Sequence, residues 1–228
     1  MRVTALILAG GASRRMGRDK LSLPRRAGGT DRVIDHVVDV ARTAASRVVL
    51  AVPPGGFGGP VPALVELVPD PAWHQGPLSA LAHAWPAAVG GGADTAPGGE
   101  PAAGAAAGFA CEPGGAGTAV LVLAGDLPGI DPAVPASLRA ALAGAEADAA
   151  VVVRGGVDQP LIGLYTESSG AVFQRMARTG QRRLLPALTA LRVVRVDADA
   201  MGWPEWWTRP VHTPADYEAW LRHTEGWA

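Results

Sequence analysis

The residues best equipped for chemistry lie in one stretch near the start of the chain, Leu8-Ala9-Gly10-Gly11-Ala12-Ser13-Arg14-Arg15-Met16-Gly17-Arg18-Asp19-Lys20. Glycines let backbone amides approach phosphate oxygens closely, and the turn that follows can aim several N–H groups at one anion. Arg15 and Lys20 would add fixed positive charge. Spacing excludes two other phosphate loops. A dinucleotide fingerprint needs G-x-G-x-x-G, and a P-loop needs four residues between its glycines with Lys and Ser/Thr directly after. Here five residues separate Gly11 from Gly17, and Arg18 and Asp19 precede the lysine. The second chemical group is a carboxylate. Val122-Leu123-Ala124-Gly125-Asp126-Leu127-Pro128 is an apolar run that ends in Asp and a proline turn. Magnesium takes oxygen ligands, commonly one or two carboxylates with substrate phosphates, so Asp126 is the expected Mg2+ ligand. The competing role for Asp126 is to cap a turn or the next helix.

Both groups need rigid elements behind them. Val3 to Ala9 is a continuous apolar run of strand length stopped by Gly10-Gly11, as in a strand buried on both faces of a parallel sheet. Asp31 to Ala45 carries apolar residues at helical spacing, and Arg47 to Val52 is a short β-branched run ended by Pro53-Pro54. Further strands are predicted at Leu64 to Val68, Ala119 to Ala124, Ala149 to Val153, Leu161 to Tyr165 and Val193 to Val196. Helices are predicted at Leu78 to Val89, at Asp131 to Leu142 and over Gly170 to Ala190, the last as one or two helices broken near Pro186. Alternating strands and helices predict one domain over 1–228: a three-layer α/β/α, Rossmann-like, mostly parallel sheet with its ligand at the carboxyl ends of the strands. Gly90 to Gly117 is nearly all Gly, Ala and Pro and reads as a mobile insertion.

A formal net charge of -1 gives no global positive field for a nucleic-acid backbone, so an anionic ligand must be met by local groups. The single cysteine, Cys111, excludes an internal disulfide and a cysteine-rich metal site. No apolar run approaches the ~20 residues that span a bilayer, and the first run is too short for a signal peptide's core. A cytoplasmic protein is expected.

The glycine loop resembles the signature of the nucleotidyltransferases typified by molybdenum cofactor guanylyltransferase, Leu-Ala-Gly-Gly-x-Ser-x-Arg-Met-Gly-x-Asp-Lys. The resemblance implies that Leu8, Ala9, Gly10 and Gly11 bind nucleotide through their backbone, that Arg15 and Lys20 hold phosphates, and that Asp126 holds magnesium. Asp70-Pro71-Ala72-Trp73-His74-Gln75-Gly76-Pro77-Leu78 resembles the family's Asp and Gly-Pro-Leu segment, which implies nucleotide contacts from Asp70, Gly76, Pro77 and Leu78. Gln159-Pro160-Leu161-Ile162-Gly163-Leu164-Tyr165 resembles the strand that follows the active-site half, and His212-Thr213-Pro214 the Asn-Thr-Pro before the last helix. The sequence departs from the family at two places: His212 stands for an Asn, and Ala51 for the Asn expected after the second strand. Trp73, Trp203, Trp206 and Trp207 suit either a flat ligand ring or the core. Arg175, Arg178, Arg182 and Arg183 suit either an acceptor phosphate or a solvated face.

The resemblance implies transfer of GMP from GTP to the phosphate of molybdopterin or its molybdenum-loaded form, with Arg15, Lys20 and Asp126 as the catalytic groups. The resemblance further implies transient contact with molybdenum cofactor enzymes or their chaperones. Two other readings stay open. One is cytidylyl or other nucleotidyl transfer to molybdopterin or a sugar phosphate, and the other is a nucleotide-binding protein that no longer catalyses.

Overall fold

The computed structural model describes residues 1–10, 16, 19–56, 59–71, 75–90 and 117–225. Its strands are β1 (Arg2–Leu8), β2 (Arg47–Val52), β3 (Glu66–Pro69), β4 (Thr118–Ala124), β5 (Ala149–Arg154), β6 (Val157–Thr166) and β7 (Val193–Asp197). They form one sheet in the order β3-β2-β1-β4-β6-β5-β7. Every pairing is parallel except the two made by β6, which runs antiparallel to β4 and β5. The helices are α1 (Val33–Arg42), α2 (Pro77–Val89), α3 (Ala133–Ala143), α4 (Ser169–Arg178), α5 (Leu185–Leu188) and α6 (Pro214–Thr224).

The apolar runs predicted as central strands are buried on both faces, and their alternation separates two cores. Ile7, Leu50, Leu121 and Leu123 point to one side, where Ile34 and Val37 of α1 and Leu138 of α3 cover them. Leu6, Val49, Val120 and Val122 point to the other, against Leu78, Leu81 and Trp85 of α2 and Phe173 of α4. Trp85, Tyr165 and Phe173 meet edge to face, with centroids 5.1 to 6.5 Å apart. Helix α4 comes this close to α2 because Gly170 has no side chain: a Cβ there would lie 2.1 Å from Trp85 Nε1. A third cluster joins Trp206 to Tyr217 and Trp220 of α6. The Tyr217 hydroxyl and the Trp220 indole donate to the carbonyls of Pro24 and Arg25, each at 2.7 Å, pinning the chain just beyond Lys20. Trp203 and Trp206 are thus core residues. Helix α6 begins with Thr213 as N-cap and Pro214 in the first turn.

The helical prediction over Gly170 to Ala190 needs correction. The break lies at Gly180, whose φ of +81° closes α4, and not at Pro186. Pro186 sits in the first turn of α5, where a missing N–H costs nothing. Arg182 and Arg183 therefore lie on the connecting segment, off any helix. The antiparallel run of β6 follows from Gly155 and Gly156, whose φ of +57° and +73° turn β5 straight back on itself. Among the described residues no helix is long and apolar enough to cross a membrane. Cys111 and nearly all of the Gly90 to Gly117 segment lie outside the described residues.

Candidate active site

The chain builds β1, β2 and β3 outward in one direction, then returns to place β4 on the other side of β1. Strand order therefore reverses between β1 and β4, and a crevice opens there at the strands' carboxyl ends. Leu8 and Gly10 line it from β1, and Ala124 and Asp126 from β4, in a cleft of about 800 Å³.

The two strand ends come together at Gly125. Its N–H donates to the Leu8 carbonyl at 3.1 Å, and a Cβ there would lie 3.2 Å from that oxygen and 3.3 Å from Leu21. Lys20 is presented by a single 3-10 turn, Lys20–Ser22, capped by Asp19, which accepts from the Leu21 N–H at 3.1 Å and the Ser22 hydroxyl at 3.0 Å. The Lys20 ammonium contacts Asp126 Oδ2. The same oxygen lies 3.1 Å from His212 Nδ1. The Val211 N–H donates to the Asp126 carbonyl at 2.9 Å, so the segment leading into α6 is tied directly to the end of β4.

Asp126 is buried, at 5% exposure. Burial works to raise its pKa, but the hydrogen bond from His212 and the charge of Lys20 outweigh it and hold the carboxyl below its ordinary value. The cleft thus holds an ionised carboxylate beside a lysine ammonium. Among the described residues no three His, Cys, Asp or Glu side chains converge on a metal position. Such a donor set fits an ion that takes one carboxylate and completes its shell with phosphate and water oxygens, as magnesium does, and does not suit zinc.

Across the cleft stand Asp70, Gly76 and Pro77. The Asp70 N–H continues the β2 ladder, donating to the Val52 carbonyl at 2.7 Å. Gly76 adopts φ +99° and ψ 171°, and a Cβ there would lie 2.7 Å from the Arg182 carbonyl. That carbonyl also accepts from the Leu78 N–H at 3.2 Å, joining the start of α2 to the segment before α5. Two of the expected nucleotide-binding residues face elsewhere. Leu78 is fully buried beneath α2 with its N–H engaged, and Ala9 is buried in the α1-side core with its N–H donating to the Ala51 carbonyl. Gly11, Arg15, Trp73 and His74 lie outside the described residues.

The cleft also holds residues the sequence did not single out for the site. His212 stood out only as a departure from a pattern, and Thr208 and Pro210 of the same segment carry no signal in their types. Of the four clustered arginines, Arg183 lines the cleft.

Comparison with known proteins is consistent with this geometry. Over 80 residues the chain is 41% identical to a probable molybdenum cofactor guanylyltransferase of Mycobacterium tuberculosis H37Rv; the match covers 34% of this chain and 37% of that relative's length. Two solved structures share the fold. Molybdopterin-guanine dinucleotide biosynthesis protein A from Archaeoglobus fulgidus superposes with a TM-score of 0.68 at 18% identity, over 98% of this chain and 99% of that one. The 2-C-methyl-D-erythritol 4-phosphate cytidylyltransferase from Thermus thermophilus does so with a TM-score of 0.62 at 16% identity, over 99% and 100%. The family described as the MobA-like NTP transferase domain matches residues 5–193, from β1 to the start of β7, and the chain belongs to that nucleotidyltransferase family.

Proposed function

We propose that the cleft transfers GMP from GTP to the terminal phosphate of molybdopterin or its molybdenum-loaded form. The observation that carries the reading is the meeting of Lys20 with an ionised, buried Asp126 at the switch point, next to Gly10. An acceptor phosphate oxygen bonds to the α-phosphorus of GTP, the bond from that phosphorus to the bridging oxygen breaks, and pyrophosphate leaves with the electron pair. The nucleophile is already ionised, so no side chain has to remove a proton. What the protein supplies is alignment and charge. Asp126 and the triphosphate would hold Mg2+, which neutralises charge on the phosphates and leaving group. Lys20 serves the β- and γ-phosphates, Gly10 and its neighbours give backbone donors, and the Gly76-Pro77 turn bounds the nucleoside. Arg15 has a place in this scheme by the loop pattern alone.

A second reading keeps the chemistry and changes the base to cytosine. Ala51 and His212, standing where the resembled family has asparagines, weaken the guanylyl reading and keep this one open. Thermal unfolding with Mg2+ and each of GTP, CTP, ATP and UTP separates the two. A ligand at a hundredfold excess over its Kd adds about 2.7 kcal/mol of stability. A magnesium-dependent rise with GTP alone is expected; a larger rise with CTP moves the assignment to cytidylyl transfer, and no rise with any of the four removes the proposal.

A further inference from the structure

One wall of the cleft is made by an irregularity in β6 that phosphate binding does not require. In the β5–β6 ladder Val151 stands opposite Gly163, and Val152 opposite Gln159. Between these pairs β5 has no residue and β6 has three, so Pro160, Leu161 and Ile162 are extruded from the ladder. All three line the cleft, flanked by Gln159. On its other edge β6 pairs with β4 only from Ile162 onward, so Pro160 and Leu161 lie past the last β4 pairing, on the side of Asp126 away from β1. The extrusion is supported from beneath. Tyr165 is fully buried, and its hydroxyl donates to the Pro160 carbonyl at 2.7 Å. Gly163 makes room for the ring, since a Cβ there would lie 2.9 Å from Tyr165 Cε2. Pro160 has no N–H to orphan, so its departure from the ladder leaves no unsatisfied donor. Bulges beside active sites re-aim side chains, and this one presents an apolar ledge of half-buried Pro160 and Leu161, while the Ile162 side chain is buried in the α1-side core. Leu184 and Arg183 also line the cleft, and the Arg183 guanidinium makes no ion pair among the described residues. Arg192 and Arg195, by contrast, are held by Asp148 and Asp158.

We infer that this ledge is the acceptor platform: a flat, weakly polar ring lies on Pro160 and Leu161, its hydrogen-bonding edge meets Gln159 and Arg183, and Tyr165 is a positioning residue acting through Pro160. The inference rests on the proposed transfer to molybdopterin. Tyr165→Phe removes only the hydroxyl, and Arg183→Ala only the polar edge. In each variant GTP affinity with Mg2+, measured by calorimetry, is expected to stay within about twofold of wild type, while the molybdopterin KM rises roughly tenfold and kcat changes less than about threefold, the scale of one lost hydrogen bond to a charged or buried group. Should Tyr165→Phe fail to fold, Arg183→Ala alone decides. An unchanged acceptor KM in the folded variants, or an equal loss of GTP and acceptor affinity, overturns the inference while wild-type transfer to molybdopterin upholds the functional reading. A wild type that binds GTP but transfers to no molybdopterin overturns both.

Discussion

Replacing Gly76 with alanine tests how the fold sets the site. At φ +99° and ψ 171° the backbone lies in a region open essentially to glycine alone, and a side chain there costs about 1–3 kcal/mol. The added Cβ would lie 2.7 Å from the Arg182 carbonyl, which must move. That movement breaks the 3.2 Å bond from the Leu78 N–H, a further loss of about 1 kcal/mol. Together these give a destabilisation of roughly 2–4 kcal/mol and a fall in Tm of roughly 4–16 °C for a chain of this size. Gly156→Ala is the control, because its φ is +73° and nothing lies within 4 Å of the added Cβ. It should lose only the left-handed backbone cost of about 1–2 kcal/mol. Chemical denaturation gives both numbers, and calorimetry with GTP and Mg2+ should show weaker binding only for Gly76→Ala. If Gly76→Ala lost no more stability than Gly156→Ala and bound nucleotide as wild type does, the claim that this turn is shaped by close approach to residue 182 would be refuted.

Other consequences are equally direct. Phe173→Ala removes a fully buried ring that meets Trp85 and Tyr165 edge-on and should cost about 3–5 kcal/mol in urea unfolding, with no magnesium dependence. Burial first, then the nearby Arg25 charge, holds the His36 pKa below its ordinary value, against the opposing pull of its 2.7 Å bond to the Ile130 carbonyl. The unfolded chain therefore takes up the proton first, so this contribution is complete above about pH 6.5 and is lost as pH falls from there through the folded pKa. His36→Gln should flatten the slope of stability against pH between about 7 and 5, measured from denaturation midpoints. Removing the Asp126 charge by Asp126→Asn should lower kcat by about a hundredfold or more, with a raised magnesium requirement, measured by pyrophosphate release.

The central strands β1, β2, β4 and β5 were legible because each is a short apolar run, and burial on both faces demands that composition; β3 and β7, more exposed at the sheet's edges, showed only as short apolar stretches. That Gly10, Lys20 and Asp126 would share one cleft was legible for a related reason: few residue types suit phosphate or magnesium chemistry, and Gly10 and Asp126 follow closely on buried strands. What escaped was set by distant packing. The end of α4 at Gly180 depends on backbone handedness that competed with an equally plausible proline signal at Pro186. The glycine pair Gly155-Gly156 would have revealed the hairpin and the antiparallel β6. No local pattern could show that Leu78 spends its N–H on Arg182, or that His212 reaches Asp126, because both contacts join segments remote in sequence. The three-residue bulge in β6 is likewise invisible until its partner strand is counted beside it.

On the proposed reading Lys20 and Asp126 form one phosphate- and magnesium-binding unit that drives nucleotidyl transfer. Its most direct test is pyrophosphate release from GTP on adding molybdopterin and Mg2+, for wild type and for the Lys20→Ala, Asp126→Asn and double variants. Wild type is expected to release pyrophosphate, and the double variant to be little slower than the worse single one, since the effects of residues acting as a unit do not add. A double variant that turns over like wild type would contradict it.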